Sequence, residues 1–84
     1  MDWKLVLDEA AFQYFVSMPV GERRKLLSLF EQLRNNPNRQ ADYFTKDATG
    51  RTLSVFAARP FLVSYWLDAL VSELRIVEIQ KIRF

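Results

Sequence analysis

The hydrophobic rhythm of the chain changes early. Trp3-Lys4-Leu5-Val6-Leu7 is a short apolar run with weak alternation, which predicts a strand. Asp8 follows at a helix N-cap position, where a carboxylate accepts from the free N–H groups of the first turn. Glu9 adds negative charge where the helix dipole favours it. Phe12, Phe15 and Val16 then recur at helical spacing and predict a first helix over 9–17, broken by Pro19 and Gly21. Leu26, Leu29, Phe30 and Leu33 form the apolar face of a second helix over 22–35. Asn35-Asn36-Pro37-Asn38 ends it, because Asn tolerates a left-handed C-cap and Pro cannot continue the ladder. So few residues join the two helices that they should form an antiparallel hairpin.

Residues 37–51 read as one long polar connection, with Asp42-Tyr43-Phe44 as its anchor and Gly50 as a turn residue. The remainder reads as strand. Thr52 to Ala57 alternates, Arg59-Pro60 interrupts, Phe61 to Leu67 is rich in β-formers, and Glu73 to Ile82 carries four β-branched residues after the turn Asp68 to Ser72. The order β-α-α-β-β-β predicts an α+β, two-layer fold: an antiparallel sheet with an N-terminal helical hairpin packed on one face.

At 84 residues the chain has room for one core, so 1–84 is expected to form a single domain. It contains neither Cys nor His. That excludes a disulfide framework, a zinc finger and any Cys-His or Ser-His-Asp pair within it. Its serines then have no imidazole partner, and its two glycines are isolated, so no phosphate-binding loop is present. Residues 1–44 carry six basic and six acidic side chains, whereas 45–84 carry six basic and four acidic, so the net +2 sits in the second half. Eight of the 12 cations are Arg, which favours planar contacts to phosphate or carboxylate. No leader pattern and no apolar stretch of membrane-spanning length is visible, so a cytoplasmic location away from membranes is expected.

Several pieces, in this order, resemble the RelE/ParE toxin superfamily of bacterial toxin–antitoxin systems. They are the strand running into a capped helix (Trp3 to Val16), the hairpin ending in an Asn/Pro loop (Glu22 to Pro37), Gly50-Arg51 opening the next strand, the Phe61-Leu62-Val63-Ser64-Tyr65 stretch, and Leu74-Arg75-Ile76-Val77-Glu78-Ile79. The resemblance implies the toxin component of a type II pair, neutralised by a cognate antitoxin. Members of the superfamily cut mRNA on the ribosome or inhibit DNA gyrase. The RelE-like nucleases work with Lys, Arg and Tyr, without metal or other cofactor, by steadying the scissile phosphate and helping the 2′-hydroxyl attack.

Such a nuclease here would hold phosphate with Arg51 and Arg59 and place Arg75, Lys81, Arg83 and Tyr65 at the reacting groups. On the last strand Arg75, Lys81 and Arg83 share parity, so they face one way unless a bulge intervenes. The pattern departs from these nucleases where it matters most. Leu62 stands where they usually carry Arg, and Thr52, Ser54 and Phe56 stand where Lys or Arg is expected. A degenerate relative, a gyrase-directed inhibitor and a non-toxic binding module therefore stay open. Each candidate also has a plain structural reading: the cations as solvated strand ends and ion pairs, Tyr65 and Trp66 as core residues on opposite faces, with Trp66 under the helices, and Arg23-Arg24-Lys25 as a solvated helix face. Exposed Phe or Leu on an edge strand or helix groove would offer a docking site to an antitoxin segment or to a second copy of the chain.

Overall fold

The sheet is built around its last strands. A computed structural model describes residues 2–82, with strands β1 (Lys4–Leu7), β2 (Tyr43–Lys46), β3 (Thr52–Ala58), β4 (Phe61–Asp68) and β5 (Glu73–Lys81), and helices α1 (Glu9–Ser17) and α2 (Val20–Asn35). The strand order is β1-β5-β4-β3-β2. The pairs β2–β3, β3–β4 and β4–β5 are antiparallel, as short turns dictate, and β1 returns beside β5 in parallel. The α+β two-layer architecture matches the sequence expectation, with two differences. The sheet is mixed, because the helical hairpin carries the chain away from β1 and the meander brings β5 back to it. A fifth strand, β2, lies within the stretch expected to be a connection. Its four residues are all exposed, so they carry no burial alternation to reveal it.

One face of the sheet is buried under the helices. Leu5 and Leu7 of β1, Leu74, Ile76 and Ile79 of β5, Phe61, Val63 and Tyr65 of β4 and Phe56 of β3 pack with Ala11, Met18, Leu26, Phe30 and Leu33. Phe30 is the largest helical residue in this core, and its ring lies 6.0 Å from that of Phe15, tilted by 43°. Burying these side chains drives association of the layers.

The helix ends differ in detail from expectation. Asp8 occupies the N-cap of α1 with extended backbone but makes no side-chain cap bond. Its N–H instead donates to the Ile76 carbonyl at 2.9 Å, which extends the β1–β5 ladder into the helix start. Helix α2 begins at Val20, directly after Pro19, so Gly21 lies in its first turn, where N–H groups lack helical partners anyway. Asn36 ends α2 with φ −141°, not left-handed, and its N–H reaches the Gln32 and Leu33 carbonyls. Gly50 does turn the chain, at φ +85°. Among the described residues no helix is long and apolar enough to cross a membrane.

Because Phe30 is 1% exposed and joins both helices to the sheet, Phe30→Ala should destabilise the fold by about 3–5 kcal/mol in denaturant unfolding. A loss below about 1 kcal/mol would contradict this packing.

Candidate functional site

Opposite the helices the sheet presents a second face. Alternation turns Leu53, Val55 and Ala57 of β3, and Leu62, Ser64 and Trp66 of β4, toward it. On β5 the register with β4 slips once. Tyr65 pairs with Ile76 but Ser64 pairs with Glu78, so Val77 is an extra residue, a β-bulge. The bulge reverses the parity of everything after it. Arg75, paired with Trp66, faces away from the helices. Lys81, paired with the buried Phe61, faces toward them and ion-pairs with Glu22 of α2. The expected common face for Arg75 and Lys81 is therefore overturned by the bulge. Arg83 lies outside the described residues.

Tyr65 is only 2% exposed and belongs to the core beneath the helices. It cannot stack on a base or reach a substrate, and its assignment to the site is corrected accordingly. Burial raises its phenol pKa above the ordinary range, with the charge of Arg39 opposing and that of Asp42 adding to the shift. Trp66 is corrected in the opposite sense. It is partly exposed and lies on the far face rather than under the helices.

Arg51 and Arg75 do come together, on Trp66. The Arg51 guanidinium carbon sits 3.9 Å from the indole centroid, and that of Arg75 sits 6.0 Å from it. Arg51 is aimed by the turn before it. The Asp47 carboxylate accepts from the Thr49 N–H (2.9 Å), the Thr49 hydroxyl (2.6 Å) and the Arg51 N–H (3.0 Å). These bonds, the hydroxyl first, hold the Asp47 pKa below the usual carboxylate range. Arg75 reaches Glu73 at 2.8 Å and Asp8 at 3.5 Å, so two carboxylates already surround it. Arg59 lies in the β3–β4 turn beside Pro60, roughly 25 Å along the strand from Arg51 by strand rise.

The middle of this face is carbon and carboxylate. Leu53 and Val55 are buried, Leu62 is half-buried, and Glu78 stands beside them with the Gln80 amide donating to it at 2.8 Å. A cleft of about 480 Å³ runs from Ala10 and Tyr14 of α1 to the Thr45–Ala48 stretch, with Leu53, Val77 and Glu78 in its walls. Its carboxylates, Glu78 and Asp47, outnumber its one lysine, Lys46. A phosphate would meet net negative charge there.

The exposed apolar surface lies elsewhere. Phe12 and Val16 stand four residues apart on α1, and Val20 and Leu27 seven apart on α2, each 45–54% exposed. Phe15, Val20 and Leu27 line a shallow groove of about 330 Å³ together with Arg23 and Arg24. The Asp42-Tyr43-Phe44 anchor holds only at Asp42, whose carboxylate accepts the Ala57 N–H at 2.8 Å. Tyr43 and Phe44 are 60% and 69% exposed on β2.

No family model matches the chain, and no curated protein matches it in sequence. Solved structures match its fold over nearly its whole length. The intact RelBE toxin–antitoxin complex of E. coli aligns with a TM-score of 0.75 and 14% identity, covering 98% of this chain and 99% of that one. The archaeal RelE–RelB complex from Pyrococcus horikoshii gives 0.71 and 13%, covering 96% of each chain. A mutant of the E. coli toxin RelE, with two arginines changed to alanine and solved in the free state, gives 0.73 and 16%, covering 96% of this chain and 84% of that one. The chain has a RelE-like toxin fold, as the order of its sequence pieces implied.

Core burial of Tyr65 has a pH signature. A raised folded-state pKa means that the stability it contributes is complete below the unfolded value near 10 and falls as pH rises beyond it. Absorbance titration should show a tyrosine step above the ordinary phenol range, and Tyr65→Phe should remove it. A high-pH step that persists in Tyr65→Phe, or the absence of one in the wild-type chain, would contradict the burial.

Proposed function

We propose that this chain is the toxin component of a toxin–antitoxin pair in fold and partner, and a degenerate member in RNA chemistry. The observation that carries the partner is the full-length likeness to RelE chains, two of which were solved as complexes with RelB. The exposed apolar stripes of α1 and α2 supply a surface for such a partner. Their basic neighbours, Arg23 and Arg24, suit a segment that alternates apolar and acidic residues.

The chemistry follows from the other face. RNA cleavage without metal needs cations placed where charge builds up on the phosphate. Among the described residues, Arg51 and Arg75 are committed to Trp66, Arg75 is also held by Glu73 and Asp8, and Lys81 is on the helix side. Leu53, Val55 and Leu62 occupy the middle of the face, and hydrocarbon cannot stabilise a phosphorane-like charge. Antitoxin binding is therefore the better supported part of the function.

The test is co-expression with a RelB-like candidate antitoxin drawn from the source genome. The two should co-purify as a stable complex, and Val20→Asp combined with Leu27→Asp should weaken it by about tenfold or more while the fold survives. An unchanged affinity in the double variant would remove the helix surface from the proposal. Failure of the wild-type chains to associate would remove the antitoxin.

A further inference from the structure

All but two of the described arginines are engaged within the molecule, and those two stand together. Arg34 pairs with Glu31, Arg39 with Asp42, and Arg75 with Glu73 and Asp8, while Arg51 lies on Trp66 and Arg59 is engaged as well. The side chains of Arg23 and Arg24 have no carboxylate, other acceptor or ring as partner among the described residues. The carboxylates of their own helix are taken, Glu22 by Lys81 of β5 and Glu31 by Arg34. The Nε of Arg23 is buried and donates to no acceptor among the described residues. A donor dried out in this way costs free energy that the fold does not recover. Both arginines also lie near the start of α2, where the helix dipole disfavours cations, so local helix energetics do not account for them.

Their surroundings are apolar. Val20, Arg23, Arg24 and Leu27 fall at helical spacing and form one stripe of α2, with an apolar residue at each end and the two cations between. With Phe15 of α1 they line the shallow groove of about 330 Å³. We propose that this groove takes an acidic amphipathic helix of a partner protein, whose carboxylates pair with Arg23 and Arg24 and whose apolar side chains cover Val20 and Leu27. A carboxylate matches a guanidinium fork with two bonds at once, and apolar walls strengthen the pairing. The spacing selects a helix. Val20 and Leu27 are separated by seven residues, roughly 10 Å of helix rise, and a helix laid along α2 repeats that interval with its carboxylates between. An extended strand returns a side chain to one face every ~7 Å and falls out of step. A nucleic-acid backbone would pair with the arginines but leave Phe15, Val20 and Leu27 uncovered. A second copy joined two-fold through the same groove would set these arginines against their own kind. The inference rests on the reading of the helix pair as a partner surface, and it names the chemistry of what binds there.

Fluorescence anisotropy on the full chain tests it with two synthetic peptides. Both are alanine-based helices of about 18 residues with leucines seven apart. One carries glutamates between the leucines, and the other carries lysines at the same places. The glutamate peptide should bind, less tightly as salt rises, and the lysine peptide should bind more weakly by about tenfold or more. Arg23→Ala combined with Arg24→Ala should remove that preference with an unchanged circular dichroism spectrum, because neither arginine belongs to the core. Arg23→Glu combined with Arg24→Glu should invert the preference, and it serves if the alanine pair fails to fold. Equal binding of the two peptides, binding of neither, or a preference that survives in the alanine pair would overturn the proposal. So would a single-stranded RNA that displaces the glutamate peptide from the groove. Failure of the antitoxin reading looks different, as the absence of a co-purifying partner. A partner that stays bound after both arginines are removed would keep that reading and overturn this one.

Discussion

One extra residue in β5 determines what the far face of the sheet can do. Val77 has no partner between Ile76 and Glu78, so the alternation of the strand restarts there. Before the bulge, Leu74 and Ile76 point into the core and Arg75 points out. After it, Ile79 and Lys81 point toward the helices, while Glu78 and Gln80 take the outward places. Had the strand run without the bulge, Val77, Ile79 and Lys81 would have joined Arg75 on the outer face. The core would then have lost Ile79, a residue only 5% exposed. The bulge keeps the hydrophobic core continuous and, in doing so, separates the cations of the strand.

The separated cations are each engaged as structure. Lys81 ties β5 to α2 through Glu22. Arg75 ties β5 to the start of α1 through Asp8 and holds Glu73 beside it. Arg51 covers the indole of Trp66, a contact worth about 0.5–1 kcal/mol at an exposed site. None of these pairs is large alone, since exposed ion pairs contribute little. Arg51 and Arg75 stand at one end of the outer face, whose centre is Leu53, Val55 and Leu62, while Lys81 lies at the other end of β5 on the helix side. The fold that elsewhere carries toxins of the RelE kind here carries a face whose central side chains are apolar.

Much of the architecture could be read from the residues. The spacing of Leu26, Leu29, Phe30 and Leu33 marked the α2 face, and the β-rich runs from Thr52 onward marked the meander. Strand β2 could not be read, because Tyr43-Phe44-Thr45-Lys46 is exposed throughout and leaves no buried-exposed alternation. The site was less legible. Parity along β5 correctly joins Arg75, Lys81 and Arg83 only in the absence of a bulge, and nothing in Ile76-Val77-Glu78 signals one. Tyr65 and Trp66 do lie on opposite faces; the structural reading of Tyr65 as a core residue holds, whereas the placing of Trp66 under the helices does not. The larger ring lies outside, where strand alternation puts it and where Arg51 stands over it. The smaller ring lies in line with Phe61 and Val63, which face the helices. Leu62 was the informative departure, and its neighbours Leu53 and Val55 complete the apolar floor that it announced.

On the proposed reading, this RelE-like fold binds a partner through its helix pair and does not cleave RNA on its apolar face. The direct test is primer extension on an abundant mRNA while the chain is expressed in a bacterial host and shown to be soluble and folded. The account predicts transcripts without new codon-spaced 5′ ends. Codon-spaced ends that appear with the wild-type chain and vanish when Arg51→Ala and Arg75→Ala are combined would contradict it, because the two arginines would then be acting on RNA rather than holding Trp66.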